Sequence, residues 1–290
     1  MNGVAFPASH GGIRVLSALL EARTGQVLSP EREWRAETAL KPVLRAHGFR
    51  DAGILAAHLA RHRDPRLEAA VVDALLNNES SFFRDLQIFD MIRRQILPDI
   101  RARGQDRRLR IWSAGCSTGQ EAYSLAIQLC NDAESWRGWR IEILATDISA
   151  TVIDRARAGI FPQMDVQRGL SINDLIQWFD PVADGWRAND RLRGMIDFRQ
   201  DNLLDPQAPS GAYDLLLCRN VMLYFTQERR QKMFGILRRH SHDRSVLLLG
   251  AGETAIGHGD AFVAHPDFRG AYRLPSATSS GAGEAVRAAG

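Results

Sequence analysis

Residues 109–127 read LRIWSAGCSTGQEAYSLAI and concentrate side chains that could hold a ligand. Gly115-Cys116-Ser117-Thr118-Gly119 is a turn of small residues. It lies between an apolar run (Leu109, Ile111, Trp112) and a stretch with helical spacing (Leu125, Ala126, Leu129). Such a turn lets a ligand approach the backbone, and strand, glycine turn and helix open a nucleotide-binding α/β domain. No Lys-Ser or Lys-Thr follows Gly119, so this is not a phosphate loop, and the spacing departs from G-x-G-x-x-G. Instead a carboxylate, Glu121, stands at the helix start, where it would repel a pyrophosphate and attract an ammonium group. S-adenosylmethionine (SAM) has an ammonium and a sulfonium and no phosphate. A Glu that stabilises a helix N-terminus accounts for the same residue equally well, so the choice depends on residues downstream.

A second acid, Asp147, follows the apolar strand Ile141–Ala145. At a strand's carboxyl end it could accept bonds from both ribose hydroxyls. The spacing exceeds the ~20 residues of the dinucleotide fingerprint, and Asp147 could instead N-cap a helix over 150–158. Asp201-Asn202-Leu203-Leu204 stands where methyltransferase folds place an adenine-binding loop. Tyr213–Cys218 reads as a buried central strand that ends in Arg219-Asn220-Val221-Met222-Leu223-Tyr224-Phe225, on the edge that faces ligands in open sheets. That edge lacks the Asp/Asn-Pro-Pro-Tyr common in amino-methyltransferases of nucleic acid, which counts against that class. Upstream, Asn77-Asn78-Glu79-Ser80-Ser81-Phe82-Phe83-Arg84-Asp85 is unusually polar and aromatic for a linker. It is either a capped helix start or a contributor to a cleft between domains.

The elements that must position these residues follow from periodicity. Apolar spacing predicts helices over 13–21, 30–47, 51–61 and 65–76, with Ser29-Pro30 starting the second and Pro42 kinking or splitting it. Four helices without strands make a separate domain over residues 11–77. A joint and linker helix over 78–108, ending at Pro98, leads into an α/β domain over 109–275. Within it, Ser171–Phe179 is expected to be helical. Trp186–Ala188 and Met195–Phe198 are expected to pair as an antiparallel hairpin, giving a small inserted β-subdomain over 180–200. Val246–Leu249 and Ala271–Leu274 are further strands. Residues 1–10 and the Ser/Gly/Ala-rich 276–290 are expected to be disordered.

The chain has 290 residues, 45% hydrophobic and 24% charged, which bounds it to a globular protein of one large or two modest domains. No apolar run approaches the ~18 residues of a membrane span, and the N-terminus lacks a secretory pattern. Three cysteines without metal-ligand spacing are expected to be reduced thiols in the cytoplasm. A net charge of +3 favours an acidic partner but is too weak to argue for nucleic acid. The faces bearing Arg35, Lys41 and Arg45, and Arg101, Arg103, Arg107 and Arg108, are either ordinary solvated surface or a docking surface for such a partner.

Asn78-Glu79-Ser80-x-Phe82-Phe83-Arg84, Ser117-Thr118-Gly119-Gln120-Glu121-x-Tyr123-Ser124, Ala145-Thr146-Asp147-Ile148 and Cys218-Arg219-Asn220-Val221-Met222-x-Tyr224-Phe225 together resemble the CheR-type chemotaxis receptor methyltransferases. The resemblance covers about residues 13–274; four motifs in order, behind a helical domain, make it specific. It implies a Rossmann-like SAM-dependent methyltransferase domain with an N-terminal all-α domain. The implied activity is SAM-dependent esterification of glutamate side chains on the cytoplasmic helical bundle of chemoreceptors, with S-adenosylhomocysteine as product and no metal. By motif match Asn78, Ser80 and Arg84 would touch SAM. Glu121 would bind its amino group, Asp147 its ribose, and Asn202 and Leu203 its adenine. Arg219 and Asn220 would close the pocket, with Tyr224 near the methyl group; Arg84 and Tyr224 are the candidate catalytic residues. A cytoplasmic monomer without nucleic-acid partner or membrane insertion is expected. Methylation of another protein or a small molecule, or SAM sensing without chemistry, are the alternatives.

Two departures stand out. Ser80 replaces a common Thr but keeps the hydroxyl, and Gln120 replaces a frequent Glu while Glu121 remains. Some family members grip a short peptide of the receptor C-terminus on the β-subdomain; the segment Asp180–Asp190 is short, and such tethering is expected to be absent here.

Overall fold

The computed structural model describes residues 9–28 and 33–276. Expectations for residues 1–8, for Ser29-Pro30 and for 277–290 lie outside the described residues. The chain divides into two compact units: residues through Asn78 with Tyr224–Arg229, and Glu79–Leu223 with the residues from Arg230 onward.

The first unit contains helices Ser9–Thr24, Glu33–Ala46, Ala52–Arg61 and Pro65–Leu75. The first begins at Ser9, so the expectation of disorder through residue 10 fails for Ser9 and His10. Asp51 and Asp64 cap the third and fourth helices, accepting from the Ile54 and Leu67 amides at 2.9 and 3.0 Å. Pro42 lies inside a single helix rather than splitting it. Ala36 and Leu40 of that helix are buried, and their packing offsets the hydrogen bond that proline forfeits. Tyr224 and Phe225 belong to this unit: the Val27 amide donates to the Tyr224 carbonyl at 2.8 Å, and Gln26 bridges Phe225.

The second unit is built on strands β1 (Arg108–Ala114), β2 (Arg140–Asp147), β3 (Ile160–Phe161), β4 (Phe179–Val182), β5 (Gly185–Ala188), β6 (Ile196–Gln200), β7 (Tyr213–Cys218), β8 (Ser241–Leu249), β9 (Val263–Ala264) and β10 (Ala271–Arg273). A seven-stranded sheet has the order β6-β2-β1-β7-β8-β10-β9. β1 runs parallel to β2 and β7, β2 to β6 and β7 to β8, while β10 is antiparallel to β8 and β9. The order reverses direction between β1 and β7, which puts a ligand crevice at the carboxyl ends of those two strands. Central strands buried on both faces read as continuous apolar runs; Ile111, Trp112 and Leu215–Leu217 are fully buried.

Two expectations are corrected here. The linker helix does not end at Pro98. Leu86–Met91 and Leu97–Arg103 flank a π-helical turn, Ile92–Ile96, closed by Leu97 N–H donating to the Ile92 carbonyl. Widening the turn just before proline relieves the clash its ring would make with the preceding carbonyl, so the helix continues. The inserted hairpin is also differently composed. β5 pairs with β4 and with β3 in a three-stranded antiparallel sheet, whereas Ile196–Gln200 joins the main sheet parallel to β2. Between β5 and β6 the Asn189 side chain accepts from the Leu192 amide and caps the short helix Asp190–Gly194.

Candidate active site

The turn that leaves β1 is held by hydrogen bonds to β2. The Gly115 and Cys116 amides both donate to the Thr146 carbonyl at 2.8 and 2.9 Å, and the Ser117 amide donates to Asp147 Oδ2 at 2.9 Å. Gly119 N–H closes the turn on the Cys116 carbonyl at 3.0 Å. These donors are spent on the protein itself, so a phosphate would find few amides free to receive it. Gly115 and Gly119 hold φ +83° and +94°. A Cβ on Gly115 would stand 2.4 Å from Val221 Cγ2, so only glycine fits there.

Two carboxylates flank this turn. Glu121, in the first turn of helix Gln120–Asn131, accepts from Ser113 Oγ at 2.7 Å and from Arg219 Nη1 at 2.9 Å. Asp147, buried at the end of β2, accepts from the Ser149 amide at 3.1 Å as well as from Ser117. The cap of the following helix is Ser149, whose Oγ accepts from Val152 N–H at 3.2 Å; Asp147 does not perform that role. Both acids act on one buried thiol: burial pushes Cys116 well above its ordinary value, and the negative charges of Asp147 and Glu121 push it further. Cys218, at the end of β7, is raised the same way, by burial and then by Glu253 and Glu121.

Arg219 follows β7 and its side chain is only 2% exposed. Its Nη2 donates to the Arg84 carbonyl at 2.8 Å and to Asp85 Oδ2 at 2.5 Å, and its guanidinium sits over the Phe89 ring at 5.7 Å. The Arg84–Asp85 segment is thereby tied to Glu121. Phe82 anchors the same segment: it is buried and packs edge-on against Phe161 and Phe179 at 4.9 and 5.6 Å. Phe83 N–H donates to Ser124 Oγ at 2.9 Å. The Arg84 side chain is half-buried and donates to the Glu79 carbonyl at 3.1 Å; Ser80 is also half-buried.

Asn202 and Leu203 lie on the loop after β6. That loop is joined to the end of β2 by Asp201 N–H donating to the Asp147 carbonyl at 2.8 Å. The Asp201 carboxylate accepts from the amides of Asn202, Gln207 and Ala208, which fixes the loop's shape. Glu121, Asp147, Asn202, Leu203, Arg219, Asn220 and the Arg84 segment are thus placed at the carboxyl ends of β1, β2, β6 and β7. Asn78 and Tyr224 belong to the first unit, where Asn77 Nδ2 donates to the Tyr224 hydroxyl.

Four of the five described non-glycine residues with positive φ are Phe83 (+48°), Asp85 (+64°), Ser117 (+51°) and Asn220 (+60°). Phe83, Ser117 and Asn220 fall in the motif segments and Asp85 directly follows one; stored strain marks segments held in place by their surroundings. Several supporting residues carry no role of their own in the sequence: Ser113, Asp85 and Asp201 stand there only as members of their stretches, and Glu253 belongs to none of them. Asp85 could have been suspected from the Arg84-Asp85 charge pair beside two phenylalanines. Glu253 carries no local signal at all.

The group this site fits has several donors and a positive charge, because acceptors line it: two flanking carboxylates, and amides already spent. SAM, with its ammonium and ribose hydroxyls, matches that set; a dinucleotide pyrophosphate does not. Among the described residues no cluster of His, Cys, Asp or Glu could hold a metal ion. A mostly parallel sheet in this order, with an acid at the end of β2 and another at the start of the helix after the glycine turn, defines a Rossmann-like SAM-binding methyltransferase. The chain matches the model of the CheR methyltransferase SAM-binding domain over residues 78–267, and it belongs to that family. It is 32% identical to the chemotaxis protein methyltransferase of Vibrio parahaemolyticus, over 89% of this chain and 94% of that protein. It is also 32% identical to chemotaxis protein methyltransferase 1 of Pseudomonas aeruginosa, over 85% and 91%. A probable biofilm formation methyltransferase of the same organism is 32% identical over 64% of this chain and 44% of that one.

Proposed function

We propose that this protein transfers the methyl group of SAM to glutamate side-chain carboxylates of chemoreceptors, forming glutamate methyl esters and S-adenosylhomocysteine. The observation that carries this reading is similarity over most of the chain to chemotaxis protein methyltransferases, joined to an acceptor-lined turn that suits a phosphate-free cationic cofactor. When bound, SAM supplies an electrophilic methyl on a sulfonium. The chain's own residues bind and orient. Glu121 accepts from the cofactor ammonium while keeping Ser113 and Arg219, since a carboxylate has lone pairs for all three. Asp147 accepts from the ribose diol, and Asn202 and Leu203 bracket the adenine. Ser80 and Asn220 add polar contacts.

A glutamate carboxylate is ionised at neutral pH and needs no general base to attack a methyl sulfonium. One carbon–oxygen bond forms, one carbon–sulfur bond breaks with its electron pair left on sulfur, and no proton moves. Catalysis then reduces to alignment and exclusion of water, and orientation of two reactants can supply about 7–11 kcal/mol. Arg84 is the cation that positions the acceptor carboxylate. Tight pairing would quench the nucleophile, so its existing bond to the Glu79 carbonyl, which shares its donors, favours a loose contact.

The acceptor is the cytoplasmic helical bundle of a receptor, so the enzyme acts in the cytoplasm, as a monomer; among the described residues no helix is long and apolar enough to cross a membrane. The receptor is recognised without a C-terminal peptide tether on the β3–β5–β4 sheet. Incubation with radiolabelled SAM and a panel of receptor cytoplasmic domains tests the proposal. Alkali-labile label on receptor glutamates is expected. Label on a non-receptor protein, or SAM binding without turnover on any receptor, would overturn it.

A further inference from the structure

We propose that Glu253 is a positioning residue of the methyl-transfer site: its carboxylate clamps the loop after β7 to the end of β8 and so sets the shape of the SAM pocket. The inference rests on reading the Arg219–Asn220 loop as part of that pocket. Glu253 has no counterpart among the motifs, stands 33 residues from Asn220 in sequence, and is half-buried. Its two oxygens collect four backbone amides. Oε2 accepts from Asn220 N–H at 2.8 Å and Gly250 N–H at 2.7 Å; Oε1 accepts from Val221 N–H at 2.9 Å and Leu223 N–H at 3.2 Å.

Consecutive amides that converge on one point form a concave nest that selects an anion. Here the protein supplies that anion itself. The nest exists because Asn220 adopts φ +60°, a conformation that costs free energy for a residue with a Cβ and persists only where its surroundings hold it. Gly250 is the other half of the clamp. A Cβ there would stand 2.7 Å from both the Asn220 amide nitrogen and its Nδ2, and 2.8 Å from Glu253 Oε2. The β8 end must therefore be glycine for the two loops to approach. From the clamp the constraint passes to the cofactor turn, because Val221, whose amide Glu253 holds, fills the space over Gly115. Glu253 touches neither reacting group; it acts through Asn220 and Val221.

The chemistry of the contact makes the isosteric variant decisive. Glu253→Gln keeps size and shape but replaces one acceptor oxygen by an NH2 that faces two N–H donors, so two of the four bonds become repulsive. Gly250→Ala breaks the same clamp from the opposite loop. Both variants are expected to raise the KM for SAM by about tenfold or more and to weaken S-adenosylhomocysteine binding in calorimetry to the same degree, because the loss is of ground-state binding. The kcat at saturating SAM is expected to stay within about threefold of the parent. Amide hydrogen exchange of the intact protein should show Asn220, Val221, Leu223 and Gly250 protected together, and Glu253→Gln should release all four at once.

Glu253→Gln with a lowered melting temperature but unchanged KM and product affinity would reduce Glu253 to a stabilising residue and overturn the proposal. Asn220→Ala, measured alongside, separates the two levels. If Asn220→Ala leaves SAM binding unchanged, the reading of the loop as part of the pocket fails. If Asn220→Ala weakens binding and Glu253→Gln does not, the clamp alone fails.

Discussion

Arg219 Nη1 lies 2.9 Å from Glu121 Oε2, and the other terminal nitrogen of the same guanidinium reaches Asp85 and the Arg84 carbonyl. One nearly inaccessible cation thus joins three stretches of chain that sequence alone presents as separate motifs. Its position between two acids leaves the Glu121–Arg219–Asp85 cluster with a net negative charge, which suits a ligand that brings an ammonium group.

Arg219→Ala should be costly because it leaves Glu121, whose side chain is 14% exposed, facing a buried gap. Loss of one partner from a buried ion pair costs roughly 3–5 kcal/mol, and the 39% exposure of Asp85 puts the expected loss near about 3 kcal/mol. Arg219→Lys should recover only part of it, since a single ammonium cannot span all three acceptors. Chemical denaturation of the two variants checks both statements.

Asp147→Asn replaces one of the oxygens that receive Ser117 and Ser149 amides by a donor. The turn and the proposed ribose contact should both suffer, with SAM affinity falling by about tenfold to a hundredfold. Calorimetric titration with SAM is the measurement; an affinity equal to the parent's would remove Asp147 from the cofactor site.

Arg84→Ala removes the proposed carboxylate-positioning cation while leaving its backbone carbonyl, and therefore the Arg219 anchor, in place. Turnover as well as receptor binding should fall, with kcat reduced by about tenfold or more. Steady-state kinetics that leave kcat at the parental level would assign Arg84 to cofactor binding or structure alone.

The sheet's far edge makes a prediction in pH. Arg108, hydrogen-bonded to Glu142 and seconded by Arg140 and Arg110, holds the Glu142 carboxyl below its ordinary value of 4.5. A depressed carboxyl contributes stability that is fully present above the unfolded value and disappears as pH falls through the lower folded value. Glu142→Gln should therefore melt below the parent at pH 7, with the gap narrowing below pH 4.5 and closing once the parent's carboxyl is protonated. The side chain is 28% exposed, so the gap should be small and should shrink further in high salt.

Burial raises all three thiols above the ordinary value of 9.0, Cys116 and Cys218 most of all. Thiolate is the reactive form. Native protein at pH 8 should therefore resist alkylation at Cys116 and Cys218, and mass spectrometry should find them labelled only as fast as the chain opens. Rapid native labelling of either would show that the ends of β1 and β7 are looser than their packing indicates.

What sequence alone determined was local. Apolar runs located β1, β2 and β7, because strands buried on both faces must be apolar throughout. Helical periodicity located the N-terminal helices, and Ser171 announced the helix it caps. The glycine turn was legible through what it lacks, a phosphate-loop lysine, and through Glu121 at the start of the helix that follows. Whether Asp147 capped a helix or served a ribose was open in sequence, since both roles suit an acid at a strand end; Ser149 two residues on took the cap, and Asp147 accepts from the Ser117 amide of the turn. The tertiary structure alone decided everything that depends on distant partners. Ile196–Gln200 has the alternation of a hairpin strand, yet pairing with β2 claimed it for the main sheet. Pro98 reads as a helix stop, yet a widened turn carried the helix past it. Asp85, Asp201 and Glu253 are ordinary acids in sequence and acquire their roles only where backbone amides or a guanidinium from another segment converge on them. Periodicity reports which face of an element is buried; it carries no record of which remote donors a carboxylate will meet.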